Sequence, residues 1–199
     1  HGVLVYPGLS ETRVGGGHHA DRLRASDECY RARAGSAWQA GADGIYLFNL
    51  FDPRRRLWYE IGERNALEGM DKLYFASVRG IGAVAGGAFP HKPFVRIPTL
   101  NPGAPLTLSS DSLHTVQIEM AEDGPALGAG QQPAITLQAR IGGGKAVADD
   151  IPEQELIVMF NGRRLTETGC SNGWRKFPVN PKSLRAGWNT VAIQYRGRQ

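Results

Sequence analysis

Residues 156–162 read LIVMFNG, an apolar run that ends on Asn161-Gly162. Asn-Gly is the commonest pair at the centre of a type I′ turn, which folds one strand back on its neighbour. The run therefore predicts a strand over Leu156–Phe160 and a hairpin directly after it. Working outward, three further sets of apolar residues recur with period two. They are Val116, Ile118 and Met120; then Ile135, Leu137, Ala139 and Ile141; and, after Gly187-Trp188-Asn189, Val191, Ile193 and Tyr195. Period two places one side of each segment on a common face, as in a half-buried strand. Short strands separated by Gly, Pro and Asn turns predict an all-β sandwich or jelly roll over residues 106–199.

Upstream the pattern changes. Residues 80–105, GIGAVAGGAFPHKPFVRIPTLNPGAP, carry Gly and Pro at a density that no helix tolerates, and residues 86–105 read as a linker. Residues 1–85 read as an α/β segment: strand, loop, helix, strand, helix. Val3–Tyr6 is a short apolar run before Pro7-Gly8, the pattern of a buried parallel strand. Ser26 is placed to cap a helix with Asp27 and Glu28 in its first turn, where the helix dipole favours anions. Tyr30, Ala34, Ala37 and Trp38 give that helix one apolar face, and Gly41 stops it. Gly44–Phe51 is almost wholly apolar, as a strand covered on both faces would be. Asp52-Pro53 predicts the start of a second helix with Leu57, Trp58 and Ile61 facing inward. A further helical piece is expected from about Ala66 to Phe75, with Tyr74 as packing.

Composition bounds the function. The 199 residues are 41% hydrophobic and 21% charged, which is ordinary for a folded domain. A net charge of +4 is spread along the chain, and its densest cluster is only Arg54-Arg55-Arg56, so nucleic acid is not an expected partner. No run approaches the roughly 18 apolar residues of a membrane span, so a membrane is not expected either. The opening HGVLVYP lacks a basic leader and a Met, which reads as a processed or excised chain. Cys29 and Cys170 read as two separate thiols, one on a helix and one in a loop, and do not set the compartment.

The order strand–helix–strand–helix, with its second strand introduced by Ala40-Gly41-Ala42-Asp43-Gly44-Ile45, resembles the last two βα units of a (β/α)8 barrel. Residues 38–53 (WQAGADGIYLFNLFDP), 60–62 (EIG) and 67–75 (LEGMDKLYF) are similar to the end of the barrel in bacterial glycoside-hydrolase-like proteins. Those proteins often carry a C-terminal β-sandwich, and residues 184–195 (LRAGWNTVAIQY) resemble its closing strand. The resemblance implies a partial (β/α)8 barrel segment over residues 1–85 followed by the sandwich. It also implies a carbohydrate-active hydrolase, with carbohydrate as partner; the compartment is unknown, a secreted or periplasmic one being the candidate. Two βα units cannot close an eight-stranded barrel. The remainder is then expected from a longer protein, the preferred reading, or from an oligomeric partner.

A barrel works at the loops after the C-terminal ends of its strands. The resemblance therefore puts Tyr6, Ser10, Glu11, His18 and His19 on one working loop, and Asn49 and Asp52 at the next. Glycoside hydrolysis uses two carboxylates, about 5 Å apart when configuration is retained. Glu11 and Asp52 are the candidates, Glu11 as the nucleophile after the seventh strand, with its acid/base partner outside this chain. Tyr6, His18, His19 and Asn49 are the candidate substrate contacts there. Against this stand plainer roles: Asp52 as a helix cap, Glu11 as a solvated loop acid, and Asp43 as a cap of the αβ turn. No metal or cofactor is expected. His18-His19 lack a third ligand at useful spacing, and Gly15–Gly17 lack the Lys-Ser/Thr of a phosphate loop. In the sandwich, Trp174 and Trp188 are candidate sugar-stacking residues if exposed side by side with polar groups, and packing residues if buried. The alternatives to a hydrolase portion are a non-catalytic sandwich that binds glycan or protein, and a purely structural brace.

Overall fold

The computed structural model describes residues 2–9, 25–48, 50–76, 106–110, 112–127, 133–141, 151–171 and 173–197. Ser10, Glu11, the Gly15–Gly17 run, His18, His19, Asn49 and the expected linker at 86–105 lie outside the described residues. The chain divides into two compact units. One is His1–Leu106 with Ile118–Ala121 and Ala186–Trp188, and the other is Thr107–Gln117, Glu122–Arg185 and Asn189–Gln199.

In the first unit, β1 (Gly8–Leu9) pairs in parallel with β2 (Tyr46–Leu47), with helix α1 (Asp27–Gln39) between them in sequence. The Pro7 and Leu9 carbonyls accept the Tyr46 and Phe48 N–H groups at 3.0 and 2.9 Å. Proline can serve here because only its carbonyl is required. Pro7-Gly8 thus leads into the strand instead of ending it, and Val3–Tyr6 lies outside it. Val3 is 87% exposed, so the expected buried strand at Val3–Tyr6 is corrected. Two bonded residues per strand do not make a barrel wall, and fully formed βα units are not seen among the described residues.

The α1 caps follow their sequence signals. The Ser26 hydroxyl accepts the Cys29 N–H at 3.3 Å, and Asp27 and Glu28 occupy the first turn. At the other end Gly41 has φ +87°, its N–H reaches the Trp38 carbonyl, and the Ala42 N–H reaches that of Ala37. These two bonds form a Schellman motif, which needs a residue free to adopt the left-handed conformation. Tyr30 and Ala34 are buried as expected, while Ala37 and Trp38 are half-buried; Cys29, Ala32 and Gly35 are buried as well. The helix is therefore covered on more than one side.

Asp52-Pro53 does not start a helix. The Asp52 carboxylate accepts the Arg54 N–H at 3.1 Å and its carbonyl the Arg55 N–H at 3.4 Å, so the pair closes a turn. Asp-Pro suits a turn and a helix start equally well, because both use a side-chain acceptor and a fixed φ. Helix α2 is only Leu57–Glu60. Leu57 and Ile61 are buried, but Trp58 is exposed and donates its indole N–H to the Asp52 carbonyl at 2.8 Å. The expected helix near Ala66–Phe75 is a single 3-10 turn, Asn65–Leu67, ended before Gly69 at φ +72°. Beyond it the chain has no regular structure, and the Leu73 N–H bonds the Glu28 carbonyl at 3.0 Å. Leu9, Tyr30, Ala34, Leu50, Leu57, Ile61 and Leu67 form the core of this unit.

Most of the remaining regular structure is strand in antiparallel sheets. The strands are β3 (Leu113–Met120), β4 (Ile135–Arg140), β5 (Leu156–Phe160), β6 (Arg163–Arg164), β7 (Gly169–Ser171), β8 (Trp174–Val179) and β9 (Gly187–Tyr195). They form two sheets, ordered β3-β9-β5-β6 and β4-β8-β7, which fits a β-sandwich. β5 pairs antiparallel with β6 and β9, and β8 with β4 and β7. These seven strands among the described residues are one fewer than a jelly roll has. Val116, Ile118, Leu156, Ile157, Val158, Phe160 and Val191 are buried. In β4, half-buried Ile135, Leu137 and Ala139 alternate with exposed Thr136, Gln138 and Arg140.

Asn161 and Gly162 take φ of 48° and 79°, as both central residues of a type I′ turn must. A Cβ at Gly162 would meet nothing within 4 Å, so only the backbone opposes a side chain there. Gly162→Ala should therefore cost about 1 kcal/mol, the left-handed penalty alone. Urea unfolding checks this, and an unchanged midpoint would mean the turn is not type I′.

β7 and β8 are not expected from the sequence. β8 contains Pro178, which removes a ladder donor. The Lys176 carbonyl accepts the Thr168 N–H at 2.9 Å on the β7 side, so by alternation Pro178 also turns that way, past the end of β7. A proline is harmless at that open edge. Cys170 consequently sits exposed on β7, a strand and not a loop, while Cys29 is buried on α1.

Candidate functional site

Of the N-terminal candidates, Tyr6 and Asp52 fall within the described residues. Tyr6 precedes β1, so it lies at the N-terminal end of the parallel pair, the opposite end from the loops that a barrel uses. Its ring lies against Gly44, where an added Cβ would overlap it. The same end is tied by Asp43, whose carboxylate accepts the Val5 N–H at 2.8 Å and whose own N–H reaches the Val5 carbonyl at 2.9 Å. Asp43 thus joins the two chain segments entering the strands. Asp52 does follow β2, yet its carboxylate is engaged with the Arg54 N–H and lies 3.8 Å from the Arg54 guanidinium. As placed, it is a turn acceptor and not a proton donor aimed into a cleft.

Three arginines of this unit, Arg31, Arg55 and Arg64, hold α1 in place. Arg55 bonds Asp27 and the Ala25 carbonyl, and its guanidinium stands 5.4 Å from the centre of the Tyr30 ring. Arg31 bonds Glu60 at 2.8 Å with both side chains largely buried, and that hydrogen bond holds the Arg31 guanidinium above its ordinary value. A guanidinium stays charged at accessible pH in any case. Because its folded value is raised, its stabilisation is present throughout and would be lost only in strong alkali. Further along α1, Trp38 donates to the Ile61 carbonyl at 3.0 Å and Arg64 to Gln39 at 2.6 Å. Among the described residues no group of three His, Cys, Asp or Glu side chains could hold a metal ion.

The sandwich carries the more open chemistry. Trp174 and Trp188 lie on β8 and β9, strands of different sheets, so they do not form the common platform that the sequence invited. Trp188 is 49% exposed. Trp174 is half-buried on the outward face of β8, sharing that side with exposed Lys176 and Pro178, while Arg175, Phe177 and Val179 are buried on the other. The register sets Arg140 directly opposite Trp174 on one flank and Ser171 on the other. Gln138 opposes Lys176, and Thr136 opposes Pro178. Directly opposed residues have Cβ atoms about 5 Å apart and project to the same side. One aromatic ring is thus bordered by Arg140, Gln138, Ser171 and Lys176.

Beside this face is an open cleft of about 270 Å³ lined by Arg163, Arg164, Leu165, Thr166, Thr168, Pro178, Asn180 and Ser183. Pro178 belongs to both. The cleft rim is held by local bonds: the Asn180 carboxamide oxygen accepts the Lys182 N–H at 2.9 Å, and the Ser183 hydroxyl bonds the Asn180 carbonyl at 2.6 Å. On the inward side of β8, buried Arg175 bonds Glu167 at 2.7 Å and also the Ile151 carbonyl. Sequence reasoning missed this cleft, together with Arg140, Lys176, Arg163 and Arg164. The signal was the alternation within Trp174–Val179, apolar at Phe177 and Val179 and polar at Lys176, which the proline concealed.

Comparison with models of protein families and with curated proteins finds no match to this chain. The reading of its function therefore rests on these residues.

Proposed function

We propose that the chain is the C-terminal portion of a carbohydrate-active, glycoside-hydrolase-like protein, catalytically incomplete by itself. What supports this reading is the strand–helix–strand order in which Gly8–Leu9 pairs in parallel with Tyr46–Leu47 and α1 lies between them in sequence, short of a formed barrel wall and bordered by uncovered apolar residues. Val3, Leu4, Val5, Tyr6 and Tyr46 are all more than half exposed, as they would be if further elements of a barrel packed against them. Parallel sheets are otherwise covered on both faces. On this reading the two strands belong to the last βα units of a barrel, Glu11 follows the first, and the sandwich is the accessory domain. The test compares this chain with the product of the full open reading frame on aryl glycosides. The longer product should hydrolyse one of them, Glu11→Gln in it should lower kcat by at least about 100-fold, and this chain should be inert. A longer product with no activity, or with activity indifferent to Glu11→Gln, would sink the hydrolase reading.

The Trp174 face favours a second reading, that the sandwich itself contacts saccharide without catalysis. Aromatic faces stack on the apolar faces of sugar rings, and polar neighbours can bind the hydroxyls. Trp174→Leu, which keeps apolar bulk but removes the aromatic plane, should weaken retention in a polysaccharide-containing gel about 10-fold at unchanged melting temperature. Undiminished retention would remove Trp174 from any sugar contact.

A further inference from the structure

We infer that the sandwich takes an anionic polysaccharide, laid along the outward face of β8 and into the adjoining cleft. This rests on the saccharide-contact reading and names the class of sugar. The argument is charge. Arg140 and Lys176 flank the Trp174 ring, and Arg163 and Arg164 line the cleft that begins at Pro178. Neither the described residues of the face nor the cleft lining includes a carboxylate. From Arg163 to Asn180 the sequence has one acid, Glu167, and it bonds buried Arg175 instead of the exposed cations. Exposed cations without acids among them attract anions and repel cations, with a reach of about 10 Å at ordinary ionic strength. Arg140 and Arg164 present planar donor forks suited to carboxylate and sulfate alike.

The geometry orders the contacts. One sugar ring stacks on Trp174, with its charged group toward Arg140 or Lys176. The chain continues past Thr168 and Pro178, about 13 Å along the strand at the usual rise, to a second charged group at Arg163 and Arg164. Of the cleft hydroxyls, that of Thr166 is left for neutral oxygens, since those of Thr168 and Ser183 already donate to the Lys176 and Asn180 carbonyls. A single-stranded nucleic acid would also meet cations and an aromatic ring. Such strands, however, bind surfaces that offer successive aromatics, and this face offers Trp174 alone among its described residues.

The experiment measures affinity of the whole 199-residue chain for polygalacturonate, dextran sulfate, unmodified dextran and an oligothymidylate, each at two salt concentrations. Expected is binding to polygalacturonate or dextran sulfate at least about 10-fold tighter than to dextran, weakening as salt rises. Which of the two binds better separates carboxylate from sulfate as the favoured group. Arg163→Ser/Arg164→Ser should reduce both affinity and salt dependence. Trp174→Leu should reduce affinity about 10-fold while leaving the salt dependence unchanged. Arg54→Ser/Arg56→Ser, which removes two exposed cations from the other unit, should change neither. Equal binding of dextran and the anionic polymers, still lost in Trp174→Leu, would overturn the anionic class and leave the saccharide reading standing. No binding to any sugar polymer would overturn both. Tighter binding of oligothymidylate, or an equal loss in Arg54→Ser/Arg56→Ser, would also overturn the inference.

Discussion

Arg175→Met should destabilise the sandwich by about 3–5 kcal/mol, the cost of stranding one member of a buried ion pair. The Arg175 side chain is only 3% exposed and that of its partner Glu167 11%, with 2.7 Å between guanidinium and carboxylate. Removing the cation leaves a carboxylate in a space too dry to solvate it. The same change frees the Ile151 carbonyl and loosens the segments on either side, since Arg175 joins Ile151 and Glu167 to β8. The double variant Glu167→Leu/Arg175→Met should recover most of the loss, because apolar residues of similar volume commonly replace a buried pair at little cost. Urea unfolding followed by tryptophan fluorescence measures both. A single variant within about 1 kcal/mol of the parent would show that the pair is hydrated and that its burial contributes little.

Asn189→Leu should cost about 3 kcal/mol for a different reason, loss of hydrogen bonds with the number of side-chain heavy atoms unchanged. Asn189 is fully buried. Its oxygen accepts from Asn161 Nδ2 at 2.8 Å and from the Arg185 N–H at 3.0 Å, and its Nδ2 donates to the Arg185 carbonyl at 2.7 Å. Asn161 in turn accepts the Thr190 N–H at 2.8 Å and donates to the Ser183 carbonyl at 2.8 Å. The two asparagines therefore join the β5–β6 turn to the loop entering β9, beside the backbone bond from the Asn161 N–H to the Thr190 carbonyl at 2.8 Å. Leucine strands donors and acceptors at both ends of this network. Asn161→Ala should cost a comparable amount, and the double variant should fall short of the sum by at least about 1 kcal/mol if the network acts as a unit. Strict additivity would show two independent caps.

Much of the local structure was legible. β3, β4 and β9 follow from period-two alternation, β5 from its apolar run, and the hairpin after Phe160 from Asn161-Gly162. Ser26 and Gly41 marked the ends of α1 within a residue or two, because caps are chosen by the backbone next to them. The errors have separate local causes. Val3–Tyr6 is an apolar run, and apolarity alone assigns no register, so the bonded pair formed just after it at Gly8–Leu9, opposite Tyr46–Leu47 inside the expected Gly44–Phe51 strand. That shift moved Tyr6 to the wrong end of the pair for the role expected of it. Asp52-Pro53 was read as a helix start when the same two residues close a turn. Pro178 hid β8, and with it the face that carries the candidate site. Glu11, His18, His19 and Asn49 lie outside the described residues, and their expected roles remain those of the sequence.

The sequence alone determined the elements whose causes lie within a few residues: the alternating strands, the Asn-Gly turn, the capped helix and the change in character along the chain. Only the tertiary structure decided which partners those elements took. It assigned Trp174 and Trp188 to different sheets, set Arg140 opposite Trp174, turned Arg175 inward to Glu167 and buried Asn189 against Asn161. The physical reason is that strand register is a long-range choice. Side chains alternate between faces, so a slip of one residue moves every group to the other side. That choice is settled by which pairing buries the most apolar surface while leaving each buried polar group bonded.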